Sequence, residues 1–212
     1  MIYAVPTLVA LAQHCAPEIA TEAMLPLIQV ESGGEALSIN VNHGPKVRAR
    51  SVADATDLAR AYIGRGYSVD VGIAQVNSRN FRKLGLTVET AFEPCTNLRA
   101  ASQILQEGYA RASVRYGGID AISATYSAYN TGSLSRGFTN GYVNKVWRAA
   151  GQTSPGDATA SAEPSILGQN TSLAAGALPS LPATWATRVE RHGRTSDWVV
   201  GQSDPSAVVV FR

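Results

Sequence analysis

The stretch PLIQVESGG, Pro26 to Gly34, puts a carboxylate where carboxylates are costly. Met24, Leu27 and Ile28 precede Glu31 by seven, four and three residues, the spacing of one buried stripe on a helix. Glu31 therefore falls on the apolar face of that helix, just before Gly33 and Gly34 end it. A carboxyl packed against apolar neighbours loses hydration when it ionises, which raises its pKa, and the negative end of its own helix pushes the same way. An acid that keeps its proton near neutral pH is suited to general acid chemistry, such as protonating the departing oxygen of a sugar. A lone glutamate at a helix end is more often merely solvated, so the reading depends on its company.

Other chemistries find less support. The three histidines, His14, His43 and His192, are scattered, and no H-x-x-x-H or C-x-x-C spacing occurs, so no metal and no cofactor is expected. There is no G-x-G-x-x-G or Walker loop. A net charge of +2 with no basic stripe argues against nucleic acid, and no apolar run reaches the length of a membrane span. Asp70 is a candidate second carboxylate, since most glycosidases use two. Its place beside a turn favours the plainer role of bonding that turn.

The elements that must position Glu31 read as successive helices with clear punctuation. MIYAVPTLVALAQHCAP has no basic residue before its short apolar stretch and is interrupted by Pro6, so a helix from about Thr7 to His14 is expected there rather than an export leader. Ser51 and Asp54 give a capping signal before Ala55, Leu58, Ala59, Tyr62 and Ile63. Thr96 is expected to cap a helix through Leu98, Leu105 and Tyr109, Asp120 to start one through Tyr129, and Thr139 to cap a last one with Val143, Val146 and Trp147. SINVNH and SVDVGIAQVN read as short strands or extended loops.

Composition changes near Gly151. Residues 1–150 hold 14 Lys+Arg against 11 Asp+Glu, and residues 151–212 hold 4 against 5. The second part is rich in Ala, Ser, Pro, Gly and Thr, and such a segment buries too little apolar surface to offset its ordering entropy. A domain over residues 1–150 and a largely disordered tail over 151–212, with a short β-prone end at Ala207 to Phe211, are expected.

Read together, Glu31-Ser32, GIAQVN (Gly72 to Asn77), SAYNTG (Ser127 to Gly132) and GYVNKV (Gly141 to Val146) resemble the lysozyme-like catalytic domain of lytic transglycosylases. The closest resemblance is to the VirB1-type enzymes of type IV secretion and conjugation systems, over about residues 7 to 150. It implies a predominantly helical α+β fold with a small β-hairpin region. It also implies cleavage of the β-1,4 bond between N-acetylmuramic acid and N-acetylglucosamine of peptidoglycan, in the periplasm, with formation of a 1,6-anhydro ring. Glu31 would be the catalytic residue, and Ser32, Gly72, Ile73, Gln75, Tyr129, Asn130 and Tyr142 would bind substrate, with Tyr129 or Tyr142 bonding the acid. Cys15 and Cys95 sit where that subgroup tends to carry a cysteine pair, which favours a disulfide over two buried thiols. Implied partners are glycan strands and, through the tail, components of the secretion apparatus. The alternatives are a hydrolytic muramidase of the same fold and a non-catalytic wall-binding assembly factor.

Overall fold

The computed structural model describes residues 1–151. The expectations about residues 152–212, including the β-prone end at Ala207 to Phe211, lie outside the described residues. In chain order the elements are α1 (Val5–Cys15), α2 (Thr21–Glu31), β1 (Ile39–Val41), α3 (Val52–Gly64), β2 (Val69–Val71), β3 (Val76–Asn77), α4 (Phe81–Leu84), α5 (Pro94–Ala112), α6 (Gly118–Thr131), α7 (Arg136–Thr139) and α8 (Tyr142–Ala149). This is a predominantly helical α+β fold. The expected hairpin is β2–β3, extended by β1 into a three-stranded antiparallel sheet of order β1-β2-β3.

The apolar stripe of α2 explains why the helix sits where it does. Met24, Leu27 and Ile28 are all fully buried, each contributing roughly 2 kcal/mol of burial free energy. Helices α8 and α1 pack against it and Tyr126 of α6 bonds its Ala23 carbonyl, while Ala12, Leu98, Leu105, Val143 and Val146 share the same core. The sheet turns Val69, Val71 and Val76 inward. Its register sets Asn40 opposite Asp70, and Asp70 opposite Asn77, so three polar residues form one row across the outer face.

Several helix starts differ from the sequence expectation. Ser51 does cap α3, its hydroxyl accepting from the Asp54 amide at 3.1 Å, while the Asp54 carboxylate accepts from the Arg50 amide at 2.8 Å. Helix α1 begins at Val5 rather than Thr7, because Pro6 fits in a first turn, where its missing N–H is no loss. The same holds for α5, where Pro94 occupies the first turn and Glu93, not Thr96, precedes the helix. Helix α6 starts at Gly118, ahead of Asp120. Thr139 closes α7 instead of opening α8, its hydroxyl donating to the Arg136 carbonyl at 2.9 Å. The capping acceptor for α8 is Asn140, whose side-chain oxygen receives the Tyr142 amide at 3.0 Å.

A disulfide joins Cys15, the last residue of α1, to Cys95 in the first turn of α5, with the Cα atoms 5.0 Å apart. It closes a separation of 80 residues. Chain-entropy reasoning puts the stabilisation at about 4 kcal/mol.

Candidate active site

Glu31 is the last residue of α2, and its carboxyl emerges half-buried between that helix and α8. Tyr142, at the first turn of α8, donates its hydroxyl to Glu31 Oε1. Burial raises the Glu31 pKa to about 7; the Tyr142 hydrogen bond pulls it down and the charge of Asp70 pushes it up. The Tyr142 hydroxyl is itself held well above its ordinary pKa, chiefly by burial and then by the neighbouring Glu31 charge, so it remains a donor.

Ser32 anchors the helix end. Its hydroxyl donates to the Ile73 carbonyl at 2.6 Å and accepts from the Gly34 amide at 3.1 Å. This stitches the acid-bearing helix to the Gly72–Gln75 turn between β2 and β3. That turn needs left-handed backbone at Gly72, with φ of 81°, and at Gln75, with φ of 50°. The Gln75 amide donates to the carbonyls of Gly72 at 3.0 Å and Ser38 at 3.1 Å.

The turn is supported from inside by Asn97 of α5, which is completely buried. Its amide donates to the carbonyls of Val71 at 3.0 Å and Ala91 at 2.8 Å, and its oxygen accepts from the Ala74 amide at 2.8 Å. A Cβ on Gly72 would run into the Asn97 side chain and lie 2.8 Å from the Ala91 carbonyl oxygen. Tyr129 of α6 completes the support by donating to the Ala74 carbonyl at 2.6 Å. Of the two tyrosines considered as partners of the acid, Tyr142 makes the bond and Tyr129 bonds the turn.

These groups border a groove of about 1290 Å³, larger than the roughly 300–1,000 Å³ usual for a small-molecule site. Glu31, Gln75, Tyr129 and Asn130 line it. Ser32, Gly72, Ile73 and Tyr142 stand behind its wall. Ile73 and Ala74 are fully buried in the core, and of the turn only Gln75 lines the groove.

Asp70 also lines the groove. Its two carboxylate oxygens accept from Asn40 and Asn42 at 2.9 Å each and from Asn77 at 2.5 Å. Neither this cradle nor Asn97 is among the residues the sequence marks out. The Asn40 and Asn42 alternation in SINVNH was a signal for it, because residues two apart on a strand share a face. A single buried asparagine inside a helix gives no such signal.

A half-buried acid at a helix end, facing a large polar groove in a helix-rich α+β domain, defines the lysozyme-like class. The chain belongs to the transglycosylase SLT domain family, whose model matches residues 9–148. It is 39% identical over 145 residues to protein virB1 of Agrobacterium fabrum, covering 68% of this chain and 59% of that protein. It is 40% identical over 140 residues to protein virB1 of Rhizobium radiobacter, covering 66% and 59%. To the type IV secretion system protein virB1 of Brucella abortus biovar 1 it is 40% identical over 157 residues, covering 70% and 66%. The match thus spans less than two thirds of these relatives' length. No solved structure matches significantly.

Proposed function

We propose that the chain is a lytic transglycosylase acting on the β-1,4 bond between N-acetylmuramic acid and N-acetylglucosamine, with Glu31 as acid and then base. The observation that carries this reading is the Glu31 carboxyl, raised to about 7 by burial and facing the groove. Protonated Glu31 gives its proton to the leaving O4 as the bond from the muramic C1 breaks. The substrate's own N-acetyl oxygen attacks C1 and holds the positive charge. Glu31, now a carboxylate, takes the proton from the C6 hydroxyl, whose oxygen displaces the acetamido oxygen at C1. The product carries a 1,6-anhydro ring, and Glu31 regains its proton. The tethered hydroxyl competes with water through its high effective molarity.

Gln75, Tyr129 and Asn130 contact the sugars in this reading, while Ser32, Gly72, Ile73 and Tyr142 hold the acid and the turn in place. Residues 1–150 are the catalytic unit and residues 151–212 an appended segment that meets other components. The virB1 relatives, one of them a type IV secretion system protein, support a role in opening the wall locally for such an apparatus. In this reading the chain works in the periplasm. Among the described residues no helix is long and apolar enough to cross a membrane.

Mass spectrometry of the products from purified sacculi tests the reaction. The anhydro product is lighter than the hydrolysed one by one water. A predominance of the hydrolysed product would assign the chain to the muramidases instead, and absence of cleavage would remove the enzymatic reading.

A further inference from the structure

The outer edge of β1 borders a second cavity, of about 700 Å³, which neither Glu31 nor Gln75 lines. β1 ends the sheet in the order β1-β2-β3. The Ser38 carbonyl accepts from the Gly72 amide, and the Asn42 amide donates to the Ser68 carbonyl, both at 2.9 Å, with Asn40 opposite Asp70 between them. Main-chain groups alternate in direction along a strand, so those of Ile39 and Val41 point out from the sheet. The chain then turns sharply: the Gly44 amide donates to the Val41 carbonyl at 2.9 Å, and His43 takes left-handed backbone with φ of 59°. Beyond this turn, Lys46, Val47 and Arg48 border the same cavity as Ile39 and Val41. Exposure alternates along this segment, with Lys46, Arg48 and Arg50 exposed and Val47 and Ala49 partly buried, the period of extended chain. The amides of residues 46–49 bond no described residue. Nor do Lys46, Arg48 and Arg50 pair with any described carboxylate, and no acidic residue lines the cavity.

We propose that this cleft takes an extended, acidic segment of a partner protein as an added strand on β1. An open strand edge is a template for pairing, its main chain supplying the bonds and alternate side chains the selectivity. Here the open groups lie on both β1 and the segment that follows it, and the cavity runs along both. The selectivity is ionic. Residues two apart on extended chain are about 6.6 Å apart, so carboxylates at every second position of an incoming strand repeat at the interval of Lys46, Arg48 and Arg50. An uncharged segment would satisfy the main chain and leave these cations unmatched. Binding at this edge is independent of the reaction proposed at Glu31, because the acid has no part in the cleft.

Calorimetric titration of the full chain with a capped synthetic peptide of alternating valine and glutamate tests this. The peptide should bind saturably, and its counterpart with lysine in place of glutamate should not. Lys46→Gln/Arg48→Gln, at two exposed positions where folding is not at stake, should weaken binding about three- to tenfold, the effect expected of two exposed ion pairs. N-methylation of every second amide of the peptide keeps its charges and removes ladder bonds; in at least one of the two registers it should weaken binding by about tenfold or more. Absence of binding, equal binding of the lysine peptide, or an affinity unchanged in the double variant would overturn the proposal. So would an affinity indifferent to N-methylation in both registers, which would leave charge attraction without strand addition. Tighter binding of a synthetic peptide of residues 203–212 would give the cleft to the chain's own end, and a dimer of the full chain that the acidic peptide dissociates would give it to a second copy. Either result overturns the acidic partner.

Discussion

Tyr142 and Glu31 are 111 residues apart in the chain and meet in one hydrogen bond, the tyrosine hydroxyl donating to the carboxyl. The bond opposes the effect of burial on the acid without cancelling it, since the Glu31 pKa still reaches about 7. The acid's working range is therefore set first by burial and then adjusted in opposite directions by two neighbours, Tyr142 and Asp70.

If protonated Glu31 starts the reaction as proposed, kcat/KM should fall as pH rises through about 7. Tyr142→Phe removes the contact that lowers the pKa and should move this limb to higher pH. Asp70→Asn removes a charge that raises it and should move the limb to lower pH. Shifts of the same sign in the two pH–rate profiles would refute this account of the acid's environment.

Glu31→Gln should reduce wall cleavage by at least two orders of magnitude, the contribution expected of a positioned acid. It should also stabilise the fold at alkaline pH. The folded-state pKa lies above the ordinary 4.5, so wild-type stability is fully present below about 4.5 and declines as pH rises toward about 7. Thermal denaturation at pH 4 and pH 8 checks this: the variant's advantage should appear at pH 8 only.

Asn97→Ala should cost about 3 kcal/mol or more, because it removes from the core the partner of the Val71 and Ala91 carbonyls and of the Ala74 amide. Gly72→Ala should also destabilise, through its left-handed backbone and its contact with Asn97. Since part of that contact disappears with Asn97, Gly72→Ala should be less costly in the Asn97→Ala background. Urea denaturation of the two single variants and the double variant measures the coupling, and strict additivity would deny the contact.

Reduction of the Cys15–Cys95 bond should lower stability by about 4 kcal/mol. At temperatures where the reduced protein remains folded, cleavage should persist, since the disulfide ties α1 to α5 and no groove residue depends on it directly. Denaturant titrations with and without reductant provide the measurement.

A fragment ending at Gly151 should retain wall cleavage. Glu31, its partner Tyr142 and the groove all lie within it. A well-folded but inactive fragment would show that residues beyond 151 take part in the chemistry.

The α2 stripe was legible because a helix repeats a surface every three to four residues, so Met24, Leu27 and Ile28 announced both the buried face and the acid's place on it. Short strands were legible as extended segments, but their register was not. Only the pairing of Asn40 with Asp70 and of Asp70 with Asn77 brings the asparagines onto one carboxylate. Caps were misread where a nearby residue did the same work, as Asn140 does for α8 in place of Thr139. Asn97 escaped because two of its three backbone partners, Val71 and Ala74, lie 26 and 23 residues away, where local pattern is blind.

The packing of α8 against the end of α2 also fixes when in its life the protein can act. The acid leaves a ribosome or an export channel before the tyrosine that orients it, 111 residues later in the chain. A chain only partly through has Glu31 but not its partner, and lacks the helix that buries the acid. In the transglycosylase reading, cutting therefore waits for the domain to be complete, and a half-made chain is harmless.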